Sequence, residues 1–428
     1  MNNKIMANFA YYRFCISCLI LIISSVNLKA QWMIKNSEQI HSMEIIVNGI
    51  KPIIPCIELR SQDFLTFSFD DIAKDYHRYV YIVEHCDFQW KKSNRIFESD
   101  YLRGSVRRVP IEDYAESLNT TVDYTHYSFS FPNRQLNVVY SGNYRVRVYD
   151  DDTKAEVCSF CFCVVESKIP VNVSATTNTE IDWNKEHQQL KISLNAQPLN
   201  VYDVKRELKM VVVQNGRWDR AVWNPTPDYC TPQDVKWEQC KDLIFEGGNE
   251  FRKFEMTNVK TAMMGVESIK WFKPFYHATL FPGVHSKNYI YNEDQNGKYY
   301  IRSSVYDNDA TETDYLWVHF FLNHKPEAQG NIYIYGGLTN WGILPEAQMK
   351  YNPEQNIYEG SLLLKEGYYN YQYLYVPSGI ANGTISTVEG NYYQTENEYT
   401  VLVYYTQKGS RYDRLVGYRN LKFEPSKQ

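Results

Sequence analysis

Among the side chains in this sequence, the carboxylates come closest to the pattern of a catalytic or metal-binding site. Asp70 and Asp71 are adjacent and could form a pair for acid–base work, but the sequence identifies no partner for them across a cleft. The stretch NEDQNG imitates the start of a calcium loop, yet its twelfth position is Ser303 instead of the glutamate that supplies a bidentate ligand. We therefore interpret Asn296-Gly297, which lies between two strand-like segments, as the turn of a hairpin.

The remaining acidic clusters and the histidines also favour structural roles. The run Asp150–Asp152 follows a strand-like segment and precedes Thr153, which is typical of a solvated turn. Asp307, Asp309 and Asp314 could hold a hard cation, but a loop is the favoured interpretation. The nine histidines have no metal-ligand spacing, and the motifs G-x-S-x-G, H-E-x-x-H and G-x-x-x-x-G-K-[ST] are absent. The sequence thus predicts a protein that is not an enzyme, with no catalytic residue, metal or cofactor.

The cysteines predict buried apolar side chains and no disulfide framework. Two of the nine fall within the first thirty residues, and the other seven are an odd number spread over a long chain. In CSFCFC, Cys161 and Cys163 would share one face of a strand and Cys158 the other, as small buried residues. The sequence leaves open whether Cys230 and Cys240 form a bridge.

The first thirty residues, 1–30, have the pattern of a secretory signal peptide. Basic residues precede an apolar run that is short for a membrane span, and a plausible cut follows Ala30. Removing this segment changes the formal charge from −5 to −8, and without basic blocks that charge argues against nucleic acid as a partner. The mature chain is predicted to be exported, and to be soluble or peripheral to a membrane.

Alternating polarity with a period of two dominates the mature chain and indicates strands. YRVRVYD, NIYIYGG and YYNYQYLYV each place one set of side chains on one face, and turns rich in Gly and Asn separate such segments. The best helix candidate is Ile111–Leu118. The predicted fold class is mostly β, with three immunoglobulin-like β-sandwich domains in series. Their predicted limits are 31–167, 168–325 for a central β-rich domain, and 326–428.

The stretch GGLTNWG suggests a sugar-binding alternative for the last domain. With the strands around it, this stretch resembles the small immunoglobulin-like, early-set modules that bind glycans in starch- and glycogen-processing enzymes. Trp341 would be one aromatic platform for a sugar ring, but it is the last tryptophan, so the second tryptophan characteristic of those modules is missing. An exported glycan-binding protein is the alternative function, and a structural role in its own core is favoured for Trp341.

A series of longer phrases resembles one protein family over nearly the whole mature chain. The phrases are FSFDDIAKDYHRYVYIVEHCDFQWKKSNRIFESDYLRG, DYTHYSFSFPN, SGNYRVRVYDDD, VVVQNGRWDRAV, GGNEFRKFE, DYLWVHFFL, EGYYNYQYLY and EGNYYQTENEYTVLVYYTQKGSRYDRLVGY. In that order, between Ile45 and Tyr418, the chain resembles the plug protein family of the type 9 secretion system.

The resemblance implies a periplasmic protein at the inner face of the outer membrane. It implies that the protein binds the giant barrel through which type 9 substrates are exported, and closes its periplasmic mouth while the lateral opening is unoccupied. It also implies that the translocon alternates between a form closed by this protein and a form that carries a cargo-shuttling barrel partner. A stopper of this kind needs shape and a rigid body, and it needs no nucleophile or cofactor.

Four residues are predicted to contact the translocon, because aromatic residues and arginine are enriched in interface hot spots. They are Arg217, Trp218, Trp223 and Arg411. In QNGRWDRAV, Arg217 and Asp219 flank an aromatic residue and could pin a turn by a charge-assisted hydrogen bond. An equally favoured interpretation is that these residues are structural devices at the corners of a sandwich.

Overall fold

A computed structural model describes residues 33–73, 76–104 and 108–425 of the chain. These residues fold mostly into β-strands, so the predicted fold class is confirmed. The predicted signal peptide, 1–30, lies outside the described residues. The α-helices are single turns, namely α1 (Glu98–Tyr101), α2 (Val204–Glu207) and α3 (Ser386–Glu389). Within the described ranges, no helix is long and apolar enough to cross a membrane.

The first part of the chain forms a β-sandwich. Its strands are β1 (Met33–Lys35), β2 (Ile40–Val47), β3 (Cys56–Glu58), β4 (Leu65–Asp71), β5 (Tyr79–Cys86), β6 (Leu102–Gly104), β7 (Val109–Pro110), β8 (Asp113–Glu116), β9 (Thr125–Phe131), β10 (Leu136–Val138), β11 (Gly142–Asp150) and β12 (Glu156–Val165). One sheet has the order β1-β12-β11-β5-β7, with β3 beside β12, and the other has the order β2-β4-β9-β8. The sheets pack through aromatic rings, and the ring centroids of Phe67 and Phe160 are 5.3 Å apart.

The helix predicted at 111–118 is wrong, because this segment contains β8. Strand β8 pairs antiparallel with β9, and Asp113 lies opposite Ser128. Its side chains are exposed, as at the edge of a sheet. Pairing with a long neighbouring strand therefore outweighs the local preference for helix.

The middle of the chain contributes seven strands to two further sheets. They are β13 (Val171–Thr176), β14 (His187–Asn195), β15 (Leu208–Gln214), β16 (Val222–Trp223), β17 (Tyr229–Cys230), β18 (Asp234–Trp237) and β19 (Ile244–Glu246). One sheet has the order β13-β14-β18-β17, with β19 beside β14. Short 3-10 helices lie between these strands, at Gln197–Leu199, Trp218–Arg220 and Lys241–Leu243.

The next ten strands form a separate pair of packed sheets. They are β20 (Arg252–Met256), β21 (Val266–Phe272), β22 (Phe275–Leu280), β23 (Gly283–Val284), β24 (Tyr299–Ile301), β25 (Tyr315–Asn323), β26 (Gly330–Tyr335), β27 (Lys350–Asn352), β28 (Ile357–Lys365) and β29 (Gly367–Pro377). Two more 3-10 turns occur at Gly337–Thr339 and Pro345–Ala347. The orders are β20-β29-β24, with β26 beside β29, and β21-β22-β25-β28-β27, with β23 beside β25. Phe254 and Phe320 pack edge to face between the sheets.

The last two strands return to the middle of the molecule. β30 (Asn397–Tyr405) pairs with β15 and with β31 (Arg414–Phe423), giving the order β16-β15-β30-β31. Val401 and Val403 share one hydrophobic core with Leu190 and Ile192. Strand pairing therefore crosses the predicted boundary between residues 325 and 326. The period-two pattern indicates each strand but does not indicate which distant strand it pairs with.

The turn predicted at Asn296-Gly297 forms, but the predicted hairpin is wrong. Both residues have positive φ angles, 49° and 79°. The following strand, β24, pairs with β29 instead of with the segment before the turn. A Cβ at position 297 would lie 2.3 Å from the ring of Trp341 and 2.6 Å from that of Phe251, so this glycine is also required for packing.

Candidate interaction surface

Two of the four predicted interface residues are buried. Arg217 is 6% exposed and Trp218 is 3% exposed. The Arg217 guanidinium donates hydrogen bonds to both carboxylate oxygens of Asp219, at 3.2 and 2.6 Å, and a third to the Gly383 carbonyl, at 2.7 Å. The predicted contact between Arg217 and Asp219 is confirmed, and it fixes the turn after β15 against the segment before α3.

The other two predicted interface residues are more accessible. Trp223 is half-buried, and its ring centroid lies 5.8 Å from that of Trp218 and 6.0 Å from that of Phe88. Arg411 is exposed and pairs with Asp100 of the first sandwich at 3.2 Å. Contact of Trp223 and Arg411 with the translocon stays a prediction.

Trp341 packs against residues from several parts of the chain. Its indole ring makes edge-to-face contacts with Phe251 and Tyr335, at centroid distances of 6.1 and 5.8 Å. The backbone of Trp341 and of the preceding Asn340 has positive φ, which turns the ring back onto β26. These contacts agree with the interpretation of Trp341 as a structural aromatic residue.

The adjacent carboxylates Asp70 and Asp71 do not form a pair for acid–base chemistry. Asp70 is fully buried and accepts hydrogen bonds from the Lys365 ammonium (2.7 Å), the Tyr315 hydroxyl (2.7 Å) and His126 (2.6 Å). Burial alone would raise the pKa of Asp70, but Lys365 and His126 hold it below its ordinary value. Asp71 is bound instead by Tyr79 and His77. The buried ion pair thus joins the first sandwich to β28.

The calcium-like stretch also serves the fold. Asp294 accepts hydrogen bonds from the backbone N–H groups of Asn296 and Phe251. Burial raises the pKa of Asp294 to about 6. Across the ranges that the structure describes, no group of three or more His, Cys, Asp or Glu side chains has the geometry of a metal site. Asp150 accepts hydrogen bonds from the N–H groups of Asp152 and Thr153, so the predicted turn is confirmed there.

The seven cysteines in the described part of the chain are all free thiols. Cys158, Cys161 and Cys163 are buried, as predicted, and burial raises the pKa of each thiol. Cys240 is buried and Cys230 is exposed, and no bridge joins them.

One face of the sheet β21-β22-β25-β28-β27 carries half-exposed aromatic residues. The even-numbered residues of β25 are buried in the core, whereas Trp317, His319 and Phe321 are half-buried on the other side. The register of β22 and β28 places Phe275 and Leu363 on that same side. We call the surface formed by Phe275, Trp317, Phe321 and Leu363 the aromatic face.

The hairpin between β21 and β22 extends the aromatic face into solvent. We call residues 270–275, with the sequence KWFKPF, the hairpin tip. Trp271 is 46% exposed and Phe272 is 57% exposed, and Lys270 and Lys273 beside them are exposed as well. The ring of Phe275 lies 6.3 Å from that of Trp317, which connects the tip to the face.

Sequence reasoning missed the hairpin tip, although a signal for it exists. Lys270 and Lys273 flank the adjacent aromatic residues Trp271 and Phe272, and the following Pro274 is typical of a turn. KWFKPF lies outside the phrases that carry the family resemblance, and the four predicted interface residues do not include it.

A cleft of about 470 Å³ lies beside the aromatic face. Its walls include Lys35 and His41 from the first sandwich, and Trp317 and Leu363 from the sheet. Burial, together with the charge of Lys35, lowers the pKa of His41 to about 4, so the imidazole is neutral near pH 7. The lining mixes apolar side chains with polar ones, among them Ser361, whose hydroxyl lies 2.7 Å from Nδ1 of His319.

Comparison with known proteins identifies the family. A sequence model described as "Type 9 secretion system plug protein 1st domain" matches residues 40–166, which form most of the first sandwich. A crystal structure of a hypothetical protein from Parabacteroides merdae matches with 36% identity and a TM-score of 0.88, over 92% of this chain and 99% of that one. The chain belongs to the type 9 secretion system plug family. Membership in this family gives the protein a role in type 9 secretion and a location outside the cytoplasm.

Two further comparisons add nothing to the family assignment. The three N-terminal domains of the outer capsid protein Hoc from bacteriophage RB49 align with 12% identity and a TM-score of 0.15, over 89% of this chain and 96% of that one. A likeness this slight carries no argument. No curated protein matches the chain significantly.

Proposed function

We propose that this protein is the plug subunit that binds the periplasmic opening of the type 9 outer-membrane translocon and seals it. The observation that carries the proposal is family membership, since the match to the plug family's first domain covers residues 40–166 and the match to a solved relative covers 92% of the chain. In this proposal the protein is periplasmic and associates with the outer membrane through its barrel partner.

The contacts between the first sandwich and the rest of the chain support a rigid stopper. Asp70 and Lys365 join the first sandwich to β28. Arg414 donates two hydrogen bonds to Glu166, at 2.5 and 2.7 Å, and thereby joins β31 to the end of β12. The Tyr299 hydroxyl donates a hydrogen bond to the Met43 carbonyl at 2.9 Å. Bonds of this kind hold the parts in one arrangement, as closing a pore requires.

The permeability of the outer membrane tests the sealing function. In a strain that lacks the alternative barrel partner of the translocon, deleting this protein should admit large hydrophilic compounds such as vancomycin. Restoring the full chain should restore the barrier. Equal uptake with and without the protein, while the translocon is present at normal levels, would overturn the sealing function.

A further inference from the structure

The hairpin tip concentrates exposed aromatic residues at the turn between the edge strand β21 and its neighbour β22. Trp271 and Phe272 are adjacent and about half exposed. Isolated exposed aromatic residues are common on protein surfaces, but a contiguous group usually marks a binding site. Because these two residues point to opposite sides of the edge strand β21, the hairpin presents an exposed aromatic ring on each side near its turn.

Ring contacts within the hairpin hold these side chains in place. Trp271 packs against Tyr276 of the neighbouring strand, with centroids 4.7 Å apart. Phe272 packs edge to face against His277 at 5.3 Å. An aromatic side chain that is already held by a neighbour loses little conformational freedom when it enters a binding site. The tip is therefore pre-organised.

The lysines give the hairpin tip a positive charge in a chain that is negative as a whole. Neither Lys270 nor Lys273 forms an ion pair with a described residue, and the whole chain has a formal charge of −5. The nearest acid along the hairpin is Glu267, three residues before Lys270, which is roughly 10 Å along an extended strand. The tip thus combines a local positive charge with an apolar end.

We propose that the hairpin tip inserts into the interfacial region of a lipid membrane with anionic headgroups. Tryptophan prefers the boundary between headgroups and hydrocarbon, and phenylalanine can enter the acyl region. Lysines beside the rings remain at the level of the headgroup phosphates and are attracted to them. A second copy of this chain that met the tip through its own tip would bring the same positive charge, so this symmetric contact is disfavoured. The contact with lipid is direct and additional to any contact with the translocon.

Vesicle sedimentation with the full, purified exported chain tests the proposal. We expect the chain to sediment with vesicles of phosphatidylcholine mixed with phosphatidylglycerol, to do so less at high salt, and to bind pure phosphatidylcholine weakly. Replacing Lys270 and Lys273 together by Glu should lower the partition coefficient at least about tenfold. The double substitution Trp271→Ser with Phe272→Ser should lower it similarly, and the fluorescence of wild-type tryptophan should shift to the blue on binding.

A tryptophan elsewhere on the surface supplies the matched control. Trp183 is 73% exposed and lies outside the hairpin, so Trp183→Ser should leave vesicle binding unchanged. Thermal melting of each variant shows that it is folded. Wild-type and tip variants that sediment equally, or wild-type protein that does not sediment at all, would overturn the proposal. If the tip variants instead lose co-purification of a protein while vesicle binding is absent, the tip is a protein contact and the lipid proposal is wrong.

Discussion

Glu366 is a buried carboxyl group that makes folding depend on pH. It is 4% exposed, and burial raises its pKa to about 7 although the N–H of Asp314 donates a hydrogen bond to it at 2.8 Å. The ordinary pKa of a glutamate side chain is 4.5. Between pH 4.5 and about pH 7, Glu366 holds a proton in the folded chain and has lost it in the unfolded chain. The free energy of unfolding therefore falls as the pH rises from 4.5 to about 7.

Glu366→Gln should remove this loss of stability at higher pH. We expect the variant to exceed the wild type in free energy of unfolding by about 1 to 3 kcal/mol near pH 8, and by close to nothing below about pH 4.5. Urea unfolding at both pH values measures the difference, and Glu354→Gln, at an exposed position, is the control. The same change in stability at both pH values would contradict this account of Glu366.

Among the ion pairs considered, we expect the loss of the one between Lys365 and Asp70 to lower the free energy of unfolding most. Both side chains are almost fully buried, and their charged atoms are 2.7 Å apart. Lys365→Met leaves a buried carboxylate without its cation, and we expect it to lower the free energy of unfolding by about 3 to 5 kcal/mol.

The exposed pair between Arg78 and Asp152 is the control for this substitution. Arg78→Met should change stability very little, because solvent screens an exposed pair. Urea unfolding at neutral pH compares the two variants. A loss for Lys365→Met no larger than that for Arg78→Met would show that the buried pair does not hold the first sandwich to β28.

Sequence reasoning reached some residue contacts and missed others for a physical reason. The contact between Arg217 and Asp219 is local, and it was predicted from the two-residue spacing. The pair of Asp70 with Lys365 spans 295 residues, and it follows from tertiary packing that no local pattern encodes. The sequence marks Asp70 only as one of two adjacent carboxylates, and it does not reveal that Lys365 is the cation that Asp70 binds.

At the scale of elements, a substitution of Trp341 distinguishes a structural role of its turn from a role in sugar binding. Its ring packs against Phe251 and Tyr335. Trp341→Ala removes these contacts, and we expect the free energy of unfolding to fall by about 2 kcal/mol or more. Retention on immobilised starch or glycogen should be absent in the wild type and in the variant. Retention of the wild type that the substitution abolishes, without a loss of stability, would favour the glycan-binding alternative.

Elements were predicted well where the pattern was long and poorly where it was short. The strands at YRVRVYD, NIYIYGG and YYNYQYLYV are all present, since alternation over many residues is a strong signal. The four residues of β8 give no such signal, and their pairing with β9 decides their structure. Asn296-Gly297 makes its turn, but β24 finds its partner in β29, which is distant along the chain.

At the scale of the molecule, the last two strands should be indispensable to the middle of the chain. β30 pairs with all of β15, and its valines share the core of residues 169–245. A chain that ends at residue 396 lacks β30 and β31, so that core is left open on one side. We expect this truncation to lose the cooperative thermal transition of the middle region and to aggregate.

A chain that ends at Glu424 keeps both strands and is the control for this truncation. It should melt like the full chain. If the chain ending at residue 396 instead keeps a cooperative transition and native near-ultraviolet circular dichroism, β30 and β31 are dispensable. The serial arrangement of domains predicted from the sequence, with 326–428 as an independent unit, would then be favoured.

Co-purification tests the central proposal most directly. The affinity-tagged chain would be produced in cells that assemble a type 9 system, extracted in mild detergent, and purified before mass spectrometry of its partners. We predict that a very large outer-membrane barrel is recovered with the tagged chain in comparable amount, and that an equally tagged, unrelated periplasmic protein does not recover it. Emergence of the tagged chain alone under several extraction conditions that leave the barrel intact would contradict the assignment as a plug.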